Sequence, residues 1–210
     1  MTQTLQWHAL PAEAVLEQLG SSPAAPLLPL QILWLNLLTD TVPALALAVE
    51  PADPAIMRQP PRHPREAILS GRVARATLGY ATVISLVALT AFVWGLGRAP
   101  ENRVYARTLA FMTLAFAQIF HLGNARSGRA VFSLGKVVSN PYALAAVGLT
   151  TALQVLTVEL QPLADVLRTH PLSTNDWLVL TVLALIPALL GQVVKAFAST
   201  REDAAAEERS

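Results

Sequence analysis

The 210-residue chain contains no cysteine. That excludes a disulfide framework, a zinc–thiolate site and an iron–sulfur cluster. Charge is also scarce, at 14% of residues, where soluble domains carry about 25%. Lys and Arg nearly balance Asp and Glu, for a net charge of +1, so there is no electrostatic case for nucleic acid as a partner. The four histidines, His8, His63, His121 and His170, are far apart and form no local metal motif. What the chain does have is apolar sequence, with 53% hydrophobic residues and a mean hydropathy of +0.46. That content is too high for a disordered chain, and the length allows one domain or two small ones. Together these features point to an integral membrane protein.

The placement of the charges supports this. Between Arg75 and Arg98 the only ionisable side chain is Tyr80, over about the length a helix needs to cross the hydrocarbon core. Thr108 to Ala125 is a second apolar stretch, interrupted by Gln118 and His121; Pro141 to Val158 is a third. Trp177 to Val194 is a fourth and includes Pro187, which membrane helices tolerate. Leu27 to Val49 comes first and is the weakest, because it carries Asn36, Thr39 and Asp40. An Asp at a helix centre costs roughly 2.5–3.5 kcal/mol on insertion scales. The stretches are too long for barrel strands and do not alternate. The expected fold is all-α, a polytopic bundle of five transmembrane helices, or of four with Leu27–Val49 at the interface.

Orientation follows from the loops. Arg58, Arg62, Arg65, Arg72 and Arg75 crowd one loop, Arg126, Arg129 and Lys136 a second, and Lys195, Arg201 and Arg209 the C-terminal end. Positive charge stays on the cytoplasmic side, so these segments and the C-terminus are expected inside, at the plasma (inner) membrane. The 98–107 and 159–176 loops are expected outside, with Trp94 and Trp177 near that interface. Residues 1–26 have no Lys or Arg and so lack the n-region of a secretory signal. They read as a short cytoplasmic-type segment with a helix from Pro11 to Gly20. Residues 27–198 form the membrane domain, and 199–210 a solvated charged tail.

The segment that carries chemistry is Asn36-Leu-Leu-Thr39-Asp40-Thr-Val-Pro43. On a regular helix Asn36, Thr39 and Asp40, at i, i+3 and i+4, share one face. Pro43 has no N–H, which releases the carbonyl of Thr39. Amide, hydroxyl, carboxylate and freed carbonyl oxygens make half of a hard-cation site, and transporters build such sites on broken helices. Asp40 paired with a neighbouring helix in a structural role is the alternative of equal weight. Gln118 is a candidate to complete the site, against the commoner role of a helix–helix hydrogen-bond donor. His121 reads as interfacial. The Pro-rich 50–72 loop reads as a stiff connector or as a docking surface for a soluble domain.

Leu28-Pro-Leu-Gln-Ile-Leu-Trp-Leu-Asn-Leu-Leu-Thr-Asp40-Thr-Val-Pro-Ala-Leu-Ala-Leu-Ala-Val-Glu50-Pro, followed by Asp53-Pro-Ala-Ile-Met-Arg58-Gln-Pro-Pro61-Arg-His-Pro-Arg-Glu66, resembles the sixth transmembrane helix and following loop of type II, calcium-ATPase-like P-type cation pumps. The resemblance runs from about Pro26 to Phe197 and implies the C-terminal membrane domain, helices six to ten. It implies that Asn36, Thr39 and Asp40 are cation ligands, and that Gln118 stands where helix eight contributes a Glu or Gln. Trp7-His-Ala-Leu10 with Leu19-Gly-Ser-Ser-Pro23 resembles the N-terminal segment of the same pumps, as if two ends of one pump were joined.

The family's Asp-Lys-Thr-Gly and Thr-Gly-Glu motifs and its Pro-Glu-Gly-Leu-Pro are absent from these residues, and phosphoryl transfer needs a positioned acceptor and phosphate-binding groups. The resemblance therefore implies a truncated pump domain that is not an enzyme by itself. It implies no certain cofactor, with Ca2+ or another hard cation as the candidate ligand, weakly bound. Its expected partners are the lipid bilayer and a P-type ATPase or fragment of one. A membrane binding subunit and a passive cation pathway are the competing functions.

Overall fold

In the computed structural model, residues 25–49, 71–125 and 140–207 are described, and among them every regular element is helical. The first rod comprises α1 (Pro29–Leu35), a π-helical turn (Asn36–Thr41) and α2 (Val42–Ala48). Then come α3 (Gly71–Arg98), α4 (Arg103–Ala125) and α5 (Pro141–Glu159). The short α6 (Gln161–Leu167) and the long α7 (Thr174–Glu207) complete the set. Arg72 and Arg75 thus begin a helix rather than end a loop, the 159–176 connection contains α6, and α7 runs on through the expected charged tail. The helix expected at Pro11–Gly20 and most of the Pro-rich 50–72 loop lie outside the described residues.

The rods alternate in direction. A short turn at 99–102 reverses α3 into α4, and Tyr80 meets His121 at their far ends, with ring centroids 4.3 Å apart. At the near end of the bundle, the hydroxyl of Tyr105 donates to Asp176 Oδ1 at 2.7 Å. Ser173 N–H and Oγ both donate to Asp176 Oδ2 at 2.8 Å, a capping-box arrangement that starts α7. Gln31 Nε2 donates to the Leu167 carbonyl at 3.0 Å, and Gln31 Oε1 accepts from Leu28 N–H at 3.0 Å. The first rod therefore starts at this near end. At the far end Asn140 Nδ2 donates to the Ala46 carbonyl at 3.3 Å. The first rod runs from one end of the bundle to the other, beside α5 and antiparallel to it, and does not lie across one end.

α4 is the centre. Ala106, Leu109, Phe111, Met112, Thr113, Ala115 and Ala117 each have 0% exposure, and α3, α5, α7 and the π turn all pack against it. α3 turns Val87, Ala88, Ala91 and Phe92 inward at helical spacing. One turn on, Gly95 brings the two backbones together: a Cβ there would stand 2.8 Å from Ala106 Cα and 2.9 Å from Leu109 Cδ1.

The outer surface inverts the pattern of a water-soluble bundle. α5 buries Ala143, Ala146, Thr150, Gln154 and Thr157 and exposes Tyr142, Leu144, Leu149 and Leu156. Small and polar residues inside with large apolar ones outside is the arrangement of helices packed in lipid, whereas a continuous apolar surface would be untenable in water. Four segments, Pro29–Ala48, Val73–Arg98, Pro141–Glu159 and Thr174–Ala196, are long and apolar enough to cross a membrane. α4 is not among them on composition; protein rather than lipid surrounds it, and its inner turns tolerate Thr108, Thr113 and Gln118.

Helix ends in this setting need partners other than water. Asn140 supplies two. Its Oδ1 accepts from Tyr142 and Ala143 N–H at 2.9 and 3.1 Å, which caps α5, while its Nδ2 holds the Ala46 carbonyl at the end of α2. Among the described residues, the buried hydroxyls of Thr113 and Thr150 are exceptions with no such partner.

Two sets of substitutions check this packing. Gly95→Ala should lower unfolding stability in detergent by about 1–3 kcal/mol through overpacking, while Gly97→Ala, which meets nothing within 4 Å, should leave it unchanged or raise it slightly. Asn140→Ala should cost about 1–2 kcal/mol for the lost cap and more for the orphaned Ala46 carbonyl. Asn140→Ser keeps a capping oxygen but cannot reach Ala46, so it should fall between the two. Thermal or denaturant melts of the purified variants read both.

Candidate functional site

The polar segment of the first rod is not an interrupted helix. Its hydrogen-bond ladder widens into one π turn over Asn36–Thr41, then tightens again at Val42, with Pro43 seated in the first turn of α2. Pro43 has no N–H to give to the ladder, and the continuous rod accommodates it directly after the wider turn. The strain that the sequence assigned to a break is thus taken up by a wider turn, a form that recurs at functional sites.

The widening changes which residues share a face. In a wider turn, position i+4 stays close to the azimuth of i, while i+3 rotates away. Asn36 and Asp40 are accordingly both exposed on the described chain, whereas Thr39 is buried. The expectation of one common face for all three is corrected by this geometry. Thr39 Oγ1 donates to the Leu35 carbonyl at 2.7 Å and lies 2.9 Å from Gln118 Oε1 on α4. A hydroxyl has one proton, so with that proton on Leu35 the second bond is made with the glutamine amide turned to donate its N–H to Thr39.

The structure thus joins two of the four expected residues directly, Thr39 and Gln118, and leaves Asn36 and Asp40 on the adjoining open surface of the same rod. Exposed Leu33 and Leu37 flank them. No group of three or more His, Cys, Asp or Glu is assembled among the described residues, so any cation held here depends on amide and hydroxyl oxygens together with Asp40. Oxygen donors of this kind suit a hard cation. His121 packs against Tyr80, the rings tilted by 50°, one turn beyond Gln118, and contributes no oxygen.

Two supporting residues escaped the sequence reading. Gln154 is fully buried in α5, where its Oε1 accepts from the Trp34 indole at 3.1 Å. Gln31 ties the start of the first rod to α6. The available signal was a glutamine inside an otherwise apolar span, which calls for a partner on another helix.

Comparison with known proteins agrees with this architecture. The family model described as "Cation transporting ATPase, C-terminus" matches residues 24–197. A calcium-transporting ATPase of Bacillus cereus is 35% identical over 82% of this chain and 21% of its own length. A calcium-transporting ATPase of Bacillus subtilis is 34% identical over 79% of this chain and 18% of its own. A mouse calcium-transporting ATPase type 2C member 1 is 31% identical over 84% of this chain and 19% of its own. The chain spans about a fifth of the length of these relatives. A match over most of the chain, to a region whose described residues form a helical bundle with four segments long and apolar enough to cross a membrane, establishes that the protein belongs to the cation-transporting P-type ATPase family, in its C-terminal membrane domain.

Proposed function

We propose that these residues form the C-terminal membrane domain of a calcium-ATPase-like pump and carry one side of its cation site, with Asn36, Thr39, Asp40 and Gln118 as oxygen ligands for the transported ion. The observation that carries the reading is the 2.9 Å contact between Thr39 and Gln118. It brings the Gln118 amide on α4 to the π turn of the first rod, next to the residue that precedes Asp40; with an ion bound, that amide would turn its oxygen to the ion in place of its N–H to Thr39. Asp40 supplies the charge, and the neutral oxygens of Asn36, Thr39 and Gln118 replace part of the ion's hydration shell. A hard cation such as Ca2+ takes six to eight oxygens, more than these four side chains offer. The exposure of Asn36 and Asp40 fits a site completed by another part of a pump, which is the partner we assign to this surface.

By themselves these residues would neither hydrolyse ATP nor drive transport, because the 210 residues contain no Asp-Lys-Thr-Gly acceptor motif and transfer needs a positioned acceptor. We place the end of the bundle that holds Val49, Gly71, Ala125 and Asn140 on the cytoplasmic side. The Arg-rich 50–75 stretch and the 126–136 basic cluster join the described residues there, and positive charge is retained inside. The same argument makes the C-terminus cytoplasmic, and the plasma membrane is the expected location.

The test is a chimera. Residues 24–197 replace the matching region of the Bacillus subtilis calcium-transporting ATPase, and ATP-driven calcium uptake into vesicles is measured. Uptake should be retained. Asp40→Asn should weaken the apparent calcium affinity by at least about 100-fold, the upper end of what outer-shell changes cost a metal site. The isolated chain should hydrolyse no ATP. A chimera that assembles and hydrolyses ATP without responding to calcium would sink the reading, as would an Asp40→Asn variant with unchanged affinity.

A further inference from the structure

Gln154 has 0% exposure in the second half of α5, a helix that carries none of the four proposed ligands. Both ends of its amide are engaged. Oε1 accepts from Trp34 Nε1 at 3.1 Å, and Nε2 donates to Met112 Sδ at 3.2 Å. Thr157, on the same helix, donates to the Gln154 carbonyl at 2.6 Å and lies 3.6 Å from the same sulfur. A thioether is a weak acceptor, and it serves here because no water competes for the amide.

The two partners are placed in a particular way. Trp34 immediately precedes Leu35, whose carbonyl takes the Thr39 hydroxyl, and Asn36 is the next residue. Met112 lies on α4, six residues before Gln118, or about 9 Å along the helix. Gln154 therefore hydrogen-bonds to none of the four ligands, yet it bonds to both helices that carry them. If volume alone mattered, methionine would fill the same space without burying an amide. Two directional bonds add what volume does not, a fixed rotation and axial position of each partner helix.

We infer that Gln154 is a positioning residue for the cation site: through Trp34 and Met112 it sets the register of the π turn against α4, and so the span between Asn36, Thr39 and Asp40 on one side and Gln118 on the other. The inference rests on the cation-site reading above, and the experiment separates the two.

The full chain is reconstituted in nanodiscs. Because it has no cysteine, a Thr39→Cys, Gln118→Cys pair supplies the only thiols, and bridging by a short bifunctional thiol reagent reports the register without any cation. In the cysteine-free chain, titration with Tb3+ reports affinity through emission sensitised by tryptophan. Gln154→Met should keep helix content and lower the melting midpoint modestly, for the Trp34 N–H left without its acceptor, while lowering the bridging yield. It should weaken Tb3+ binding about five- to tenfold, the size of one net hydrogen bond. Trp34→Phe, which removes the indole donor, should likewise lower the bridging yield, the readout that does not depend on tryptophan as sensitiser. Bridging in Gln154→Met equal to the parent's, or a parent pair that does not bridge, overturns the inference. Equal Tb3+ binding by the parent and Asp40→Asn would instead remove the cation-site reading and leave the bridging yield to judge Gln154.

Discussion

Water is absent from the interior of a membrane bundle, so each polar group there has to be met by protein. That constraint organises the fold more than hydrophobic burial does, since lipid tails would accept the apolar side chains equally well. The joints of the bundle are correspondingly side-chain amides and hydroxyls at helix ends and helix crossings. Gln31 closes the start of the first rod onto the last carbonyl of α6. Asn140 caps α5 and the end of α2 together. Tyr105 and Ser173 share the Asp176 carboxylate at the opposite end. Thr108 Oγ1 accepts from His170 N–H at 2.9 Å while donating to its own helix at 2.8 Å. Thr169 Oγ1 donates to the Thr157 carbonyl and draws the 168–173 segment onto α5. Such bonds have direction, so they fix register where van der Waals packing alone would allow the helices to slide.

Much of this could be read from the sequence, and the reasons are physical. Long gaps between charges mark helices that lie in lipid, and α3, α5 and α7 begin or end within a few residues of where those gaps do. The ends of helices are set by caps and turns rather than by hydropathy, which is why Arg72 and Arg75 were read as loop residues and α6 went unseen. At the site, Asn36, Thr39, Asp40 and Gln118 stood out because polar residues inside apolar spans are costly to keep. Their mutual arrangement was not legible. An i, i+3, i+4 rule presumes a regular helix, and the π turn breaks that premise while leaving the residues in place. Gln154 was passed over for a related reason: a single glutamine signals that a partner exists, but its partners, Trp34 and Met112, lie 120 and 42 residues away.

The π turn has a further consequence for how the site is built. A regular helix would keep Thr39 with Asn36 and Asp40, and all three would face either the bundle or its outside. Widening by one residue splits them, so that Thr39 is held against α4 by Gln118 while Asn36 and Asp40 stay open. One rod can then present oxygens to two sides. A cation lying between this domain and a neighbouring element could be reached from both, and the rod would serve as the wall they share.

Hydropathy and burial rank the helices in different orders, and the difference says where each one works. The first rod is apolar enough to cross a membrane although it carries Asp40, because many of its exposed residues, among them Leu30, Ile32, Leu33, Leu37 and Leu45, are large hydrocarbons. α4 falls short on composition, yet it is the most enclosed helix, with buried residues around most of its circumference. Hydropathy therefore measures contact with lipid and not depth in the protein. A helix shielded by its neighbours is free to carry polar groups without paying an insertion penalty in the folded bundle, and Gln118 is such a group. The two helices that meet at the candidate site are thus one that touches lipid and has a single charged interruption, and one that is wrapped in protein and has several neutral ones. Charge on the open side with neutral oxygens on the enclosed side is the distribution that leaves the smallest buried charge when no cation is bound.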